Sequence, residues 1–328
     1  MILKYEGKLR PPRAGRPLLT VRAPAPYIEG MEKHPFVVYT ASDQKYGDFL
    51  IDHWYRSLRE NVDLSRTDVR VLDYGLSTAQ RYYLEHEGAS VIRCVKDGHV
   101  TVIRFRDLAR DLRTQGYSQV MAVDGGDVVF QGDVAPLFEL RPDRFRAVPE
   151  DLNSGFDLFL REEYFTRPTI AAIRRSTALR PQINAGLLVG PRDQFLALCD
   201  QVGWQVLDPT VFGPDQLVVN QVLNDRGYVP LPGWWNFVVA TSRTQFIIED
   251  GRFLTKEDHR VIPVVHNAGN WKFLRPIRDF GYGPGHNQVK AEVLSTLKFL
   301  HQSNDLFQTT RGRLRRFARS AWERALIP

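Results

Sequence analysis

Cysteine is nearly absent, with only Cys94 and Cys199 in 328 residues. They lie far apart and without metal-ligand spacing, which argues against a disulfide framework and fits a reducing compartment. No apolar run approaches the roughly 18 residues that a spanning helix needs. The start, Met1-Ile2-Leu3-Lys4-Tyr5, turns polar at once, so no secretory leader is expected and the expected location is cytoplasmic. There is no internal repeat and no long low-complexity linker. Seven of the eight histidines (His34, His53, His86, His99, His259, His286 and His301) have no partner spacing that marks a site. Basic residues define no stripe outside the carboxyl-terminal stretch, which argues against a nucleic-acid partner.

What remains is an ordinary soluble composition, 43% hydrophobic and 25% charged, in a chain long enough for one large α/β domain or two smaller ones. The net charge of +6 is uneven. Residues 311–326 carry six arginines against Glu323, with Leu314, Phe317, Ala318, Ala321, Trp322 and Ala325 at helical spacing. This predicts a basic amphipathic helix. It either docks on an anionic membrane surface, making the protein peripheral at the inner face, or packs as a terminal helix with a solvated basic side.

Residues 1–34 are rich in Pro and Arg and predict an extended arm. From there, strands alternate with helices. Phe36–Thr40 precedes a helix over about 48–60, Val69–Asp73 precedes one over 78–86, and Ser90–Cys94 precedes one over 105–116. The strand Gln119–Val123 then ends at Asp124. Such alternation with short polar turns predicts a mostly parallel sheet flanked by helices. Later strands are expected at 128–130, 147–148, 183–189 and 261–265, with helices at about 193–205, 215–225 and 288–302. The expected division is an arm (1–34), a catalytic domain (35–280) and a carboxyl-terminal helical region (281–328).

Two strand ends carry the chemistry. Asp124-Gly125-Gly126-Asp127 follows one apolar run, and His266-Asn267-Ala268-Gly269-Asn270-Trp271-Lys272 ends another. Open α/β sheets bind ligands at the carboxyl ends of their strands. Carboxylate oxygens with one imidazole suit Mn²⁺ or Mg²⁺ that still needs phosphate oxygens. Lys272, behind Gly269, is placed to hold the same phosphates. The pattern predicts a metal–diphosphate clamp of Asp124, Asp127 and His266.

Several segments in order resemble family 8 glycosyltransferases of the GT-A fold. They are Asp43-Gln44-Lys45-Tyr46, Val71-Leu72-Asp73-Tyr74-Gly75-Leu76-Ser77, Ile183-Asn184-Ala185-Gly186-Leu187-Leu188-Val189, Asp215-Gln216 with Asn220, and the His-x-x-Gly-x-x-Lys spacing of 266–272. The resemblance spans about residues 36–276. One departure is that the family's Asp-x-Asp is here Asp-Gly-Gly-Asp. Either both acids bind the ion, or Asp124 caps a turn and only Asp127 binds it.

The resemblance implies a retaining hexosyltransferase with a UDP-sugar donor and a glycan, lipid-linked or natural-product acceptor. It puts Thr40, Ala41, Asp43 and Tyr46 against the nucleotide and Arg104 or Arg106 near the sugar nucleotide. It also implies donor-sugar contacts from Asp151, within Glu150-Asp151, and from Asn184, and it places Asp215 and Gln216 near the anomeric carbon. The bland readings are a half-buried turn tyrosine at Tyr46, a structural amide at Asn184 and a helix N-cap at Asp215. If Gly125-Gly126 spoils the metal site, the alternative is a metal-independent module that binds nucleotide sugar or a partner. A sugar-nucleotide pyrophosphorylase is disfavoured, because no Gly-rich, Arg/Lys-bearing phosphate loop follows the first strand.

Overall fold

The computed structural model describes residues 34–153, 156–269 and 272–307, apart from the side chains of Phe156, Asp157 and Lys272. The arm expected over 1–34 (save His34), Asn270 and Trp271 of the histidine motif, and the basic stretch 311–326 lie outside the described residues.

Strand β1 (Phe36–Ser42) is built from β-branched and aromatic residues and is buried along almost its whole length. The chain then enters α1 (Gln44–Phe49), passes through a π turn (Leu50–Tyr55) and continues as α2 (Arg56–Asn61). Of the apolar face that Phe49, Leu50, Trp54 and Leu58 predict, the last three are wholly buried and Phe49 is half-buried. Next come β2 (Thr67–Asp73), α3 (Thr78–His86), β3 (Ser90–Arg93), α4 (Val100–Leu112) and β4 (Gln119–Val123). A capping box explains the sharp start of α3: Ser77 accepts from the Gln80 amide while Gln80 reaches back to the Ser77 amide.

After β4 the chain forms β5 (Val128–Phe130), α5 (Pro136–Glu139), β6 (Phe145–Pro149), α6 (Arg167–Thr177), β7 (Ile183–Pro191) and α7 (Arg192–Gln205). It continues through α8 (Pro214–Arg226), β8 (Tyr228–Pro230), β9 (Phe237–Val238), β10 (Phe246–Glu249), β11 (Arg252–Thr255) and β12 (Val264–His266). The last described elements are β13 (Ile277–Arg278), β14 (Gln288–Val289) and α9 (291–307).

The main sheet has the order β3-β2-β1-β4-β7-β6-β8. All neighbours are parallel except around β7, which runs against both β4 and β6. The expected mixed, mostly parallel α/β sheet is therefore what the chain forms. Alternate residues of β1 face different layers. Val37 and Tyr39 pack under α4, α7 and α8, while Phe36 and Val38 pack with Leu50, Trp54 and Leu58. The chain builds outward from β1 through β2 to β3, then returns to the other side of β1 as β4. That reversal is a topological switch point, and it opens a crevice at the carboxyl ends of β1 and β4. A second sheet, β5-β12-β9, stands beside it.

Some boundaries differ from the sequence reading. Helix α4 starts five residues before Phe105, because His99 caps it by accepting from the Thr101 amide. Strand β12 starts at Val264 rather than Val261, since Pro263 has no N–H to give a ladder and Val261 makes only an isolated bridge to Leu254. Gln288 and Val289 pair with Ile277 and Arg278, so the last helix begins after them. Among the described residues, no helix is long and apolar enough to cross a membrane.

Arg146 is the least expected core residue. It is fully buried, and burial pulls its pKa down to about 10. Its guanidinium donates to the carbonyls of Leu137 (3.1 Å) and Arg144 (2.6 Å) and to Gln119 Oε1 (2.8 Å), tying β6 to β4 and to the end of α5. Arg146→Met should lower unfolding free energy by roughly 2–5 kcal/mol, because each orphaned buried acceptor costs about 1–3 kcal/mol. Denaturant unfolding checks this, and a variant as stable as wild type would refute the tie.

Candidate metal and nucleotide-sugar site

The site follows from two strand registers. In the β5–β12 pair His266 stands opposite Val128, so Asp127, the residue before β5, falls beside His266. The Asn267 amide locks this by donating to the Asp127 carbonyl at 2.8 Å. In the β4–β7 pair Val123 stands opposite Leu187, and the Asp124 amide donates to the Gly186 carbonyl at 3.0 Å. Asp124, Asp127 and His266 thereby converge, each offering a ligand atom within 4.8 Å of the others. His266 Nε2 lies 3.4 Å from Asp127 Oδ1 and 3.7 Å from Asp124 Oδ2.

The three glycines nearby are required for close approach, and none of them has a positive φ. A Cβ on Gly125 would sit 2.5 Å from Thr40 Oγ1 and 2.8 Å from the Ala41 carbonyl, and one on Gly126 would sit 2.9 Å from the Tyr46 ring. A Cβ on Gly186 would collide with the His266 imidazole. The Gly-Gly pair thus seats the acidic turn onto the end of β1 and onto Tyr46, with Asp124, Asp127 and His266 converged.

The imidazole's tautomer is set by a chain of amides. The Gly186 N–H can only donate, and it donates to Asn184 Oδ1 at 2.8 Å. Asn236 Nδ2 donates to the same oxygen at 3.0 Å, which turns Asn236 Oδ1 toward His266 Nδ1, also at 3.0 Å. His266 Nδ1 therefore carries the proton of that bond and Nε2 faces the two aspartates. Asn184 Nδ2 in turn donates to Glu150 Oε1 at 2.9 Å. A buried, oriented imidazole with two carboxylates fits a hard divalent ion, and outer partners of this kind sustain affinity.

Cations already stand against both acids. Arg104 pairs with Asp124 and donates to the Ala185 carbonyl at 3.4 Å, and Arg275 pairs with Asp127 at 2.8 Å. Burial raises the Asp127 pKa, but His266, Arg275 and Arg104 overcome it and hold the group below its ordinary value. Burial likewise opposes the His266 imidazolium, yet Asp127 and Asp124 outweigh it and raise that pKa.

Around this cluster lies a cavity of about 940 Å³, in the range of a small-ligand site. Ala41, Asp43, Tyr46, Arg104, Asn184, Asp215, Gln216 and Gly269 of the sequence-derived set line it together with the three candidate ligands. Thr40 sits just beneath, with its buried hydroxyl unpartnered among the described residues. Three buried atoms of the lining likewise lack a partner among the described residues: Asp43 Oδ1, Asp215 Oδ1 and Gln216 Nε2. Such atoms cost free energy unless a ligand or water completes them. Asp43 Oδ2 accepts from Lys96 Nζ at 2.7 Å, and Lys45 Nζ lies 5.1 Å from the Tyr46 ring centroid.

Two sequence choices are not brought to the site. Arg106 turns outward to Asp97 (2.8 Å) and Asp107 (3.0 Å), leaving Arg104 as the arginine of the cavity. Asp151 is exposed and accepts from the Arg243 amide at 2.8 Å, while its neighbour Glu150 is the buried acid in the lining. Asp215 is not the helix cap; Gly213 at φ 105° is, and Asp215 follows in the first turn. The Lys272 side chain lies outside the described residues. Sequence reasoning missed Asn236 and Arg275. Asn236 follows two tryptophans with no spacing to mark it, and Arg275 lies three residues past the motif lysine.

No protein-family model matches the chain, and no curated protein matches it. Among solved structures it is similar to the galactosyltransferase LgtC in complex with donor and acceptor sugar analogues, at 16% identity and TM-score 0.49, over 81% of this chain and 96% of that one. It is also similar to the WbbM bifunctional glycosyltransferase, at 16% identity and TM-score 0.48, over 75% of this chain and 48% of that one. A third is the glycosyltransferase GlyE of Streptococcus pneumoniae TIGR4, at 20% identity and TM-score 0.47, over 84% of this chain and 63% of that one. The match thus spans about half the length of WbbM and under two thirds of GlyE. These are loose likenesses.

Asn236→Ala should weaken binding of a divalent cation, read with Mn²⁺ as probe, by roughly 10–100-fold while the protein stays folded. Calorimetry on a folded variant decides it, and unchanged affinity would remove Asn236 from the chain of amides. A second expectation concerns Asp215, whose pKa is pushed up to about 6 by burial and by the nearby Asp124, against Arg104. A carboxyl raised above its unfolded value stabilises the fold at low pH and loses that contribution as pH rises through the folded pKa. Relative to Asp215→Asn, the metal-free wild type should therefore lose on the order of 3 kcal/mol between pH 4 and pH 7. Parallel unfolding profiles of the two proteins would contradict the shift.

Proposed function

We propose that the chain is a divalent-metal-dependent glycosyltransferase of the GT-A type. In this reading it moves a hexose from a UDP-sugar to a hydroxyl of a glycan, lipid-linked or natural-product acceptor, with retention at the anomeric carbon. The observation that carries the proposal is the convergence of Asp124, Asp127 and the oriented His266 in a large cavity at the sheet's switch point. The motif resemblance set out above supports the donor class and the stereochemistry.

Asp124, Asp127 and His266 would hold the ion, which when bound supplies Lewis-acid charge for a leaving diphosphate. The remaining chemistry belongs to the chain's own residues. Asp43 offers an unpartnered carboxylate oxygen and Tyr46 a ring face at the end of β1, suited to a base and ribose. Gln216 gives its Oε1 to the Ala185 amide at 3.4 Å and keeps Nε2 for a sugar oxygen. Asp215, buried with one oxygen unpartnered among the described residues, is in this reading the acid nearest the transferring centre. Asn184 and Glu150, locked to each other, face the same space and fit sugar hydroxyls.

The ion pairs Arg104–Asp124 and Arg275–Asp127 favour the second reading, a metal-independent nucleotide-sugar binder, since both acids are compensated without an ion. One experiment separates the two. Release of nucleoside diphosphate from a panel of UDP- and GDP-sugars should require Mn²⁺ or Mg²⁺ and occur with UDP-sugars. Asp127→Ala and His266→Ala should each cut it by at least about 10²–10³. No turnover, with nucleotide binding indifferent to chelation, would discard the transferase and keep the binder.

A further inference from the structure

Arg275 lies past the motif lysine, yet it is a firmly seated cation of the cavity. Its carbonyl accepts from Lys290 Nζ at 3.0 Å. Two residues on, Ile277 exchanges bonds with the Asn267 side chain (3.2 and 3.3 Å), and Asn267 is the neighbour of His266. The backbone that carries Arg275 is thus bolted to the backbone that carries the imidazole. The guanidinium is nearly buried, at 13% exposed. Nε donates to the Gly269 carbonyl at 2.8 Å, where φ is 142°, and Nη2 forms an ion pair with Asp127 Oδ2 at 2.8 Å. Nη1 has no partner among the described residues, and Arg275 lines the cavity.

The two oxygens of Asp127 are divided. Oδ1 faces His266 Nε2, and Oδ2 is taken by Arg275. A guanidinium is planar and carries donors on more than one edge, so it can hold a carboxylate with one nitrogen and a phosphate with another. Arg275 thus lines the cavity beside the candidate ion ligands with one guanidinium nitrogen still to be satisfied.

We propose that Arg275 is a diphosphate-binding residue, held in place by Asp127 Oδ2 and Gly269, with Nη1 serving the phosphate oxygens. This rests on the nucleotide-diphosphate reading given above. It adds a cation that discriminates a diphosphate from a nucleoside or a monophosphate. The opposing view is that Arg275 is only a structural counter-ion to a buried acid.

Calorimetry on the full chain distinguishes these, using Mn²⁺ alone and then UDP, UMP and uridine with Mn²⁺ present. Arg275→Gln should weaken UDP roughly ten- to hundredfold, as expected for a bond to a charged group, and UMP less. Uridine should be unchanged, and Mn²⁺ alone should bind as well or more tightly, because a neighbouring positive charge is gone. Arg275→Lys, which keeps the charge but cannot span both partners, should recover part of the UDP affinity. Equal weakening of uridine and UDP, or weaker binding of Mn²⁺ alone, would overturn the proposal in favour of a structural role. Should Arg275→Gln lose its thermal transition, Arg275→Lys carries the test, and UDP affinity within about twofold of wild type overturns it. Wild type that binds Mn²⁺ and UDP while Arg275→Gln binds UDP equally well rejects this proposal alone. Wild type that binds neither rejects the nucleotide reading and takes this inference with it.

Discussion

The antiparallel pairing of β5 with β12 is the constraint on which the site depends. It joins residues more than a hundred positions apart and puts the acid that precedes one strand next to the imidazole that ends the other. A slip by one residue would send His266 to the opposite face, since side chains alternate along a strand. The register has several independent locks. The Asn267 amide meets the Asp127 carbonyl, Gln131 and Gly132 donate to the Pro263 carbonyl, and Val128, Phe130 and Val264 fill the layer below. The small sheet is thus the device that closes the crevice opened by the switch point of the large one.

Electrostatics then favour an anionic ligand. Three buried or nearly buried acids, Asp124, Asp127 and Asp215, meet Arg104, Arg275 and His266, whose pKa is raised. A divalent cation at Asp124 and Asp127 would need the imidazole's Nε2 lone pair and would add positive charge beside Arg104 and Arg275. Added positive charge in a low-dielectric pocket favours an anionic ligand. Asp215 gains from the same arrangement, because the burial that raises its pKa is opposed by Arg104 and would be opposed further by a nearby ion.

Much of this was legible in the sequence, for definite reasons. Buried parallel strands are written as apolar runs, and their ends are marked by polar turns, so the hydrophobic pattern alone puts Asp124, Asp127 and His266 at strand ends. Parity inside a fully buried strand is not written, because both faces are apolar. Strand β6 is buried on both sides, so nothing in Ala147-Val148-Pro149-Glu150-Asp151 says which acid turns inward. The register shift between Ala147 and Pro149 then decides for Glu150. Helix α4 posed a similar problem. Arg104 and Arg106 are two residues apart on a helix and must point in different directions, and only the packing of α4 on β1, β2 and α7 tells which one faces the cavity.

The glycines teach a related point. Two consecutive glycines, Gly125 and Gly126, could serve for backbone freedom or for close approach. The backbone there is ordinary, and the demand is for space: the turn lies so close to Thr40, Ala41 and Tyr46 that a single methyl group would push it away. Gly186 serves the same end from the other side, under the imidazole. Three strands and one helix start are therefore brought within side-chain reach of one point by leaving side chains out. Close packing resists change on that scale, so the spacing among Asp124, Asp127 and His266 is a property of the main chain. That rigidity fixes the three candidate ligands relative to one another, and the Asp-Gly-Gly-Asp spacing leaves them converged.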